Sequence, residues 1–318
     1  MLKYEIRNSK SEIKKMHLSR LHVEGNRIKD QTGKTVTLRG FSIADPASLM
    51  FYKRGRPLDL FQIMESAVME WRANVIRLPV HPDGIDDVPG FVGDLKGYFG
   101  KYIKPAVEKA EELGVYAIID LHIFDDYTTS EKNALVMEFW GIAASYYKDA
   151  PHVLFELFNE PVKPDDWDMW QKYAQPWADM IGKLAPDNLL LVGGPRWCQN
   201  MAGAAKNPVQ GKNIVYSAHC YPAHLLDFEK NWGTLFEKFP VFFTEWGYED
   251  GAKYPTSGTT SGFGRPLLKL IEERGCSWCA WCFDNDWFPK VFDKPWTLPG
   301  DEEGRMGRFV KELLKNNY

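Results

Sequence analysis

The nine residues VLFELFNEP, Val153 to Pro161, run apolar and aromatic and then switch to an amide, a carboxylate and a proline. The first part reads as a buried strand and the last as a strand end, because Pro161 supplies no further ladder hydrogen bond. Such a segment holds Asn159 and Glu160 still at its tip. Side chains alternate along a strand, so Glu156 shares a face with Phe158 and Glu160 and is expected to point into the interior. A buried charge there needs a partner, with Arg39 or another inward cation as the candidate.

Seven further segments have the same character: TLRGFSIA (37–44), NVIRLPV (74–80), VYAIIDLH (115–122), NLLLVGG (188–194), NIVYSAHCY (213–221), PVFFTEW (240–246) and SWCAWCF (277–283). They lack clean polar alternation, as strands covered on both faces do. Helical patterns fall between them. In 94–113 an apolar face of Leu95, Tyr98, Tyr102, Ile103, Val107 and Ala110 precedes a Gly114 cap. In 58–71 the face is Phe61, Met64, Val68 and Trp71, and 265–274 and 305–314 are further amphipathic candidates. Strand then helix, eight times, predicts an α/β fold, a (β/α)8 TIM barrel. The stretch LHVEGNRIKDQTGKTVTLRG predicts an N-terminal β-hairpin closing the barrel bottom. The expected organisation is an N-terminal tail at 1–16 and a single catalytic barrel domain at 17–318.

Composition agrees with a well-cored globular chain: 318 residues, 44% hydrophobic, 14% aromatic. The net charge of −4 leaves no basic field for nucleic acid, and no apolar run reaches the roughly 20 residues that span a bilayer. The charged N-terminus lacks the apolar core of a signal peptide. Five cysteines (198, 220, 276, 279 and 282) do not form a disulfide framework. Cys279 is expected to face away from Cys276 and Cys282, so these three cannot share a metal.

In a barrel of this kind chemistry sits at the C-terminal strand ends. Those ends deliver Arg77 and His81, Asp120 and His122, Asn159 and Glu160, His219 and Tyr221, Glu245 and Trp246, and Trp281 followed by Asp284, Asn285, Asp286 and Trp287. One carboxylate after a strand is often only a helix cap; so many polar tips converging on one mouth is a different pattern. Glu160 and Glu245, on the fourth and seventh strands, face one another across a closed barrel. Paired carboxylates flanking a bond are what glycoside hydrolysis requires. Trp197, Tyr221, Trp246, Trp281 and Trp287 suit the apolar faces of sugar rings. A zinc site using His122 and His219 is the rival reading, but two carboxylates leave a metal no task.

NVIRLPV, DLH, FELFNEP, SAHCYP, TEWG and the Trp after the eighth strand resemble, in order, the signature set of glycoside hydrolase family 5. The resemblance runs from about residue 20 to the C-terminus. It implies Glu160 as acid/base and Glu245 as nucleophile. It also matches Arg77, His122, Asn159, His219, Tyr221 and Trp281 to the family's other active-site positions; Trp287 is added as a substrate-binding residue. Arg77 is then expected to favour an ionised Glu245, and burial to raise Glu160. Tyr221 is expected to hold Glu245, Asn159 to bind a sugar 2-hydroxyl, and His122 and His219 to bind sugar hydroxyls.

The function so implied is a retaining endo-β-1,4-glucanase acting on a β-glucan polysaccharide or oligosaccharide, without cofactor or metal and without nucleic-acid or membrane partners, as a monomer. A β-mannanase or other β-glycanase of the same family is the alternative, and a non-catalytic carbohydrate-binding barrel the reading from another class. The expected location is secreted or periplasmic with the leader absent from this sequence, or intracellular on imported oligosaccharides.

Overall fold

The computed structural model describes residues 18–51, 56–85 and 87–316. The tail expected at 1–16 lies outside the described residues. Two short strands, β1 (His22–Glu24) and β2 (Arg27–Lys29), pair antiparallel. Eight strands then close into a parallel barrel: β3 (Arg39–Ser42), β4 (Val75–Val80), β5 (Tyr116–Leu121), β7 (Val153–Glu156), β9 (Leu190–Val192), β10 (Ile214–Cys220), β11 (Val241–Trp246) and β12 (Ser277–Ala280), with β12 pairing back onto β3. All eight coincide with the eight apolar segments of the sequence. The short strands β6 (Phe124–Asp125) and β8 (Glu160–Pro161) pair above the barrel and extend its wall at the fourth tip. Gly40 is required in β3, because a Cβ there would sit 1.9 Å from the Val75 carbonyl oxygen of the next strand.

The returns are mostly helical. Asp94 caps a helical run from Leu95 to Leu113, with a wide-turn segment at Phe99–Ile103, and Gly114 ends it at φ +71°. All six apolar residues expected on its face are buried. In the preceding helical segment the buried face lies slightly aside of the expected one: Leu60, Ile63, Met64 and Ala67 are fully buried, whereas Phe61 and Val68 are only partly so. The fifth return departs from the repeat. Between β9 and β10 stand only the short turns Pro195–Cys198 and Ala202–Ala205.

Two apolar layers result. The larger lies between strands and helices. The smaller fills the barrel's lower interior, where Leu21 and Ile28 of the hairpin region meet Leu38, Val75, Ile118, Leu154, Val215, Phe242 and Cys279. The hairpin thus closes the bottom, as expected. Burying these side chains stabilises the fold by about 1.5–3 kcal/mol each before entropy is counted. All five cysteines are free and buried; Cys279 lies in the inner layer and Cys276 in the outer, as alternation predicts.

Candidate active site

Directly above the apolar plug the barrel interior turns polar. Arg77, on β4, has no exposed surface and sits at the centre. Its Nε donates to Glu156 at 2.6 Å, Nη1 to Glu245 at 2.8 Å, and Nη2 to Asn159 at 2.6 Å, with Asp120 2.9 Å from Nη2. Arg77, not Arg39, is therefore the partner of Glu156. Burial opposes the charge on Glu156, but Arg77 and His219 outweigh it and hold the carboxyl at about 2. The same burial pushes Asp120 well up despite Arg77.

Strict alternation fails at two strand ends, and both failures build the site. Strand β7 stops at Glu156. Leu157 and Phe158 both join the outer layer, where Phe158 packs against Trp170 and Trp177, and Asn159 turns inward to Arg77. Phe158 therefore does not share the interior face of Glu156. On β11 the register shifts between Phe243 and Trp246. Consecutive residues Thr244 and Glu245 both bond inward, Thr244 to Glu156 at 2.7 Å and Glu245 to Arg77. Trp246 is consequently turned out and buried against Trp278, 5.6 Å away, so it offers no face to a sugar.

Glu245 accepts on both oxygens, Oε1 from Arg77 and Oε2 from the Tyr221 hydroxyl at 2.8 Å. Glu160 lies opposite. One carboxylate oxygen of Glu160, one of Glu245 and a ring nitrogen of His219 lie within 4.8 Å of one another. Burial raises Glu160 above the usual carboxylate range although His219 Nδ1, 2.7 Å away, pulls it down. Two neighbouring carboxyls thus sit in different environments, one with two donors and one pushed toward its acid form.

These groups open into a cavity of about 640 Å³. His122, Asn159, Glu160, Tyr221, Glu245 and Trp281 line it, all six expected from the sequence. His122 Nδ1 lies 2.5 Å from Asp120, and its ring stacks parallel to Trp281 at 5.6 Å and 9°. Burial holds His122 well below its ordinary value, so a neutral ring lines the cavity here. Three expected substrate ligands do not line the cavity. Arg77 and His219 are fully buried beneath it, with both His219 nitrogens already engaged, by Glu160 and by Thr244 at 3.1 Å. Trp287 stands behind Trp281 at 5.7 Å and edge-on to His81.

The remaining wall comes from β6 and the loops, with Phe124, Arg196, Trp197, Gln199, His224 and Tyr254 among its residues. Of these only Trp197 had a signal in the sequence, as an aromatic beyond the fifth strand. It reaches the cavity through three successive left-handed residues, Arg196, Trp197 and Cys198, at φ near +55°. Left-handed backbone at non-glycine residues costs about 1–3 kcal/mol each and persists where surroundings hold it. Here the holders are Cys198 N–H on Gly194 O at 3.0 Å and Trp232 Nε1 on Cys198 O at 2.9 Å.

The comparisons with known proteins agree with this geometry. The chain is 29% identical over 278 residues to endoglucanase 5 of Pectobacterium carotovorum, covering 82% of this chain and 50% of that protein. It is 26% identical to endoglucanase A of Butyrivibrio fibrisolvens, covering 87% and 63%. It thus spans about half to two-thirds of the length of these relatives. Among solved structures, a β-glucanase of Saccharophagus degradans in complex with cellotetraose superposes with a TM-score of 0.81 at 27% identity, covering 94% of this chain and 93% of that one. The endoglucanase Cel5A catalytic domain of Thermobifida fusca shares the fold, with a TM-score of 0.76 at 24% identity, covering 93% and 97%. A family model described as cellulase (glycosyl hydrolase family 5) matches residues 29–286. With that match over most of its length, the chain belongs to the cellulase family, glycosyl hydrolase family 5.

Proposed function

We propose that the chain is a retaining endo-β-1,4-glucanase working by double displacement, with Glu160 as acid/base and Glu245 as nucleophile. The observation that carries this reading is the spacing of the two glutamates. Oxygens within 4.8 Å lie nearer the about 5–5.5 Å separation of carboxyl groups in retaining enzymes than the roughly 6.5–9.5 Å of inverting ones.

Glu245 attacks the anomeric carbon while the glycosidic C–O bond breaks and Glu160 gives its proton to the leaving oxygen. Water then gives a proton to Glu160 and attacks the same carbon, and Glu245 leaves. Asn159 Oδ1 is occupied by Arg77, so its amide N–H faces the cavity and can donate to the sugar 2-hydroxyl. Trp281, braced by His122 and by its own Nε1 on Phe288 O at 3.1 Å, offers an apolar ring face. A β-1,4-glucan is the substrate supported by relatives named endoglucanases and by the cellotetraose complex of the S. degradans β-glucanase.

Glu160→Ala and Glu245→Ala are each expected to abolish most hydrolysis of carboxymethylcellulose while the far-ultraviolet spectrum stays native. Proton NMR of the first-formed anomer should show retention. An inverted product, full activity in either variant, or faster hydrolysis of galactomannan than of carboxymethylcellulose would each overturn the corresponding part of the reading.

A further inference from the structure

Beneath Glu160 the hydrogens can be counted. Glu156 Oε1 is 2.6 Å from Ser217 Oγ and 2.7 Å from Thr244 Oγ1, and the two hydroxyl oxygens are themselves in contact. Glu156 is a carboxylate, held so by Arg77 and His219 despite its burial, and a carboxylate only accepts. Each hydroxyl owns one hydrogen. These three oxygens lie in mutual contact and share two hydrogens, so one contact is bare however the hydroxyls turn, and aiming the Thr244 hydrogen at His219 would bare a second. The Thr244 hydrogen therefore stays among these oxygens, and Thr244 has only lone pairs for His219 Nε2, 3.1 Å away.

We propose, on the reading that Glu160 is the acid/base, that Thr244 is a positioning residue. Its oxygen fixes a proton on His219 Nε2, the carboxylates around the ring hold a second on Nδ1, and that Nδ1–H occupies Glu160 Oε1 and so reserves Glu160 Oε2 for the catalytic proton. The histidine acts from below the floor, and the hydroxyl one residue before Glu245 sets its protonation. The tautomer of one ring nitrogen is dictated by what the other nitrogen meets, and a buried N–H without an acceptor is costly.

The surrounding charge favours the same state. Glu156 and Glu160 face the ring from the β7–β8 side and Glu245 from β11. Asp120 and His122 lie toward β5, His224 follows on the next turn, and Arg77 stands beyond Glu156. Burial alone would discharge His219, but the carboxylates more than offset it and hold it at about 10. At neutral pH Arg77 and His219 then supply two positive charges near Glu156 and Glu245.

Thr244→Val removes the acceptor at nearly constant volume, and Thr244→Ser keeps it. General-acid assistance is worth about 10²–10⁴-fold in rate and matters only when the leaving group needs a proton. Thr244→Val should lower kcat/KM on cellotetraose roughly ten-fold or more while leaving that on 2,4-dinitrophenyl β-cellobioside within about two-fold. Thr244→Ser should restore cellotetraose hydrolysis. Equal loss on both substrates, or no loss on either, overturns the inference. Nitrogen-15 NMR of labelled histidine in the unmodified protein gives a second test independent of any variant. Protons on both His219 nitrogens at pH 6–8 support the proposal, and a bare Nε2 overturns it. Glu160→Ala separates the two levels. If it lacks the leaving-group dependence, the acid/base reading itself fails; if it shows it and Thr244→Val does not, only the role of Thr244 fails.

Discussion

Replacing Arg77 by Met removes the cation bonded to Glu156 and Glu245 and adjacent to Asp120, while keeping an unbranched side chain. Arg77 lies 2.6 Å from Glu156, 2.8 Å from Glu245 and 2.9 Å from Asp120, all out of contact with bulk water or nearly so. Glu156 shows what is at stake. Its ordinary value of 4.5 falls to about 2, a difference worth about 3 kcal/mol. Because this pKa is depressed, the stability it brings is present above the ordinary value and fades as pH falls toward 2. Taking away the cation leaves buried carboxylates uncompensated, at a cost of about 3–5 kcal/mol. With about 2.1 cal/mol/K of unfolding entropy per residue, a chain of 318 residues should melt roughly 4–8 °C lower at pH 7. In the variant burial acts on Glu156 without Arg77, so its pKa rises and protonation on acidification relieves the penalty. The wild type begins to lose its own contribution only below about 4.5, at the acid end of the same interval. The difference in Tm should therefore shrink between pH 7 and pH 4, as read from circular dichroism melts. A difference below about 2 °C at pH 7, or one that grows on acidification, would refute this account of the charged centre.

Three further outcomes are expected. Glu160 is raised by burial and must be protonated to act, so the basic limb of kcat/KM should lie above the ordinary 4.5. Activity should fall as pH rises through it, and a limb at or below 4.5 would count against Glu160 as the acid. Tyr221→Phe deletes the 2.8 Å hydrogen bond to Glu245; a bond to a charged group is worth about 1.5–3 kcal/mol, so steady-state assays should show kcat down by roughly ten-fold or more with KM little changed. Trp281→Ala removes the ring braced by His122; calorimetric titration of cellotetraose into the Glu160→Gln background should show about ten-fold weaker binding, and unchanged affinity would take Trp281 out of the substrate's path.

The barrel was legible because burial on both faces leaves a composition signature, and eight Val-, Ile- and Phe-rich runs marked eight strands. The hairpin plug was legible for a similar reason, its apolar residues being set at alternate positions around a turn. What failed was arithmetic on parity. Counting by twos from Glu156 puts Phe158 inside and Asn159 outside, and the chain does the reverse because regular pairing in β7 ends at Glu156. Counting through Thr244 and Glu245 would likewise expose only one of them to the interior, whereas the register shift delivers both. His219 was matched as a sugar ligand because sequence shows that a histidine ends a strand but not what meets its two nitrogens. Its partners Thr244 and Glu160 lie 25 and 59 residues away. The loops that carry Arg196, His224 and Tyr254 could be placed from the strand ends, but not which of their residues turn into the cavity, because no periodicity governs the direction in which a loop turns.

The paired inward residues of β11 bear on transplantation. A designer who copies this strand into a regular eight-stranded barrel, matching Phe242 and Glu245 by count alone, would obtain the nucleophile on the outside of the wheel. Thr244 would stay within but lose its neighbour. The irregularity is thus the transferable unit: one extra residue on β11, which shifts its register against β10 after Phe243 and against β12 before Trp246, must travel with the strand. Straightening it without removing a residue would exchange Glu245 for Trp246 at the mouth, giving a protein that still closes its barrel around an interior without its second carboxylate.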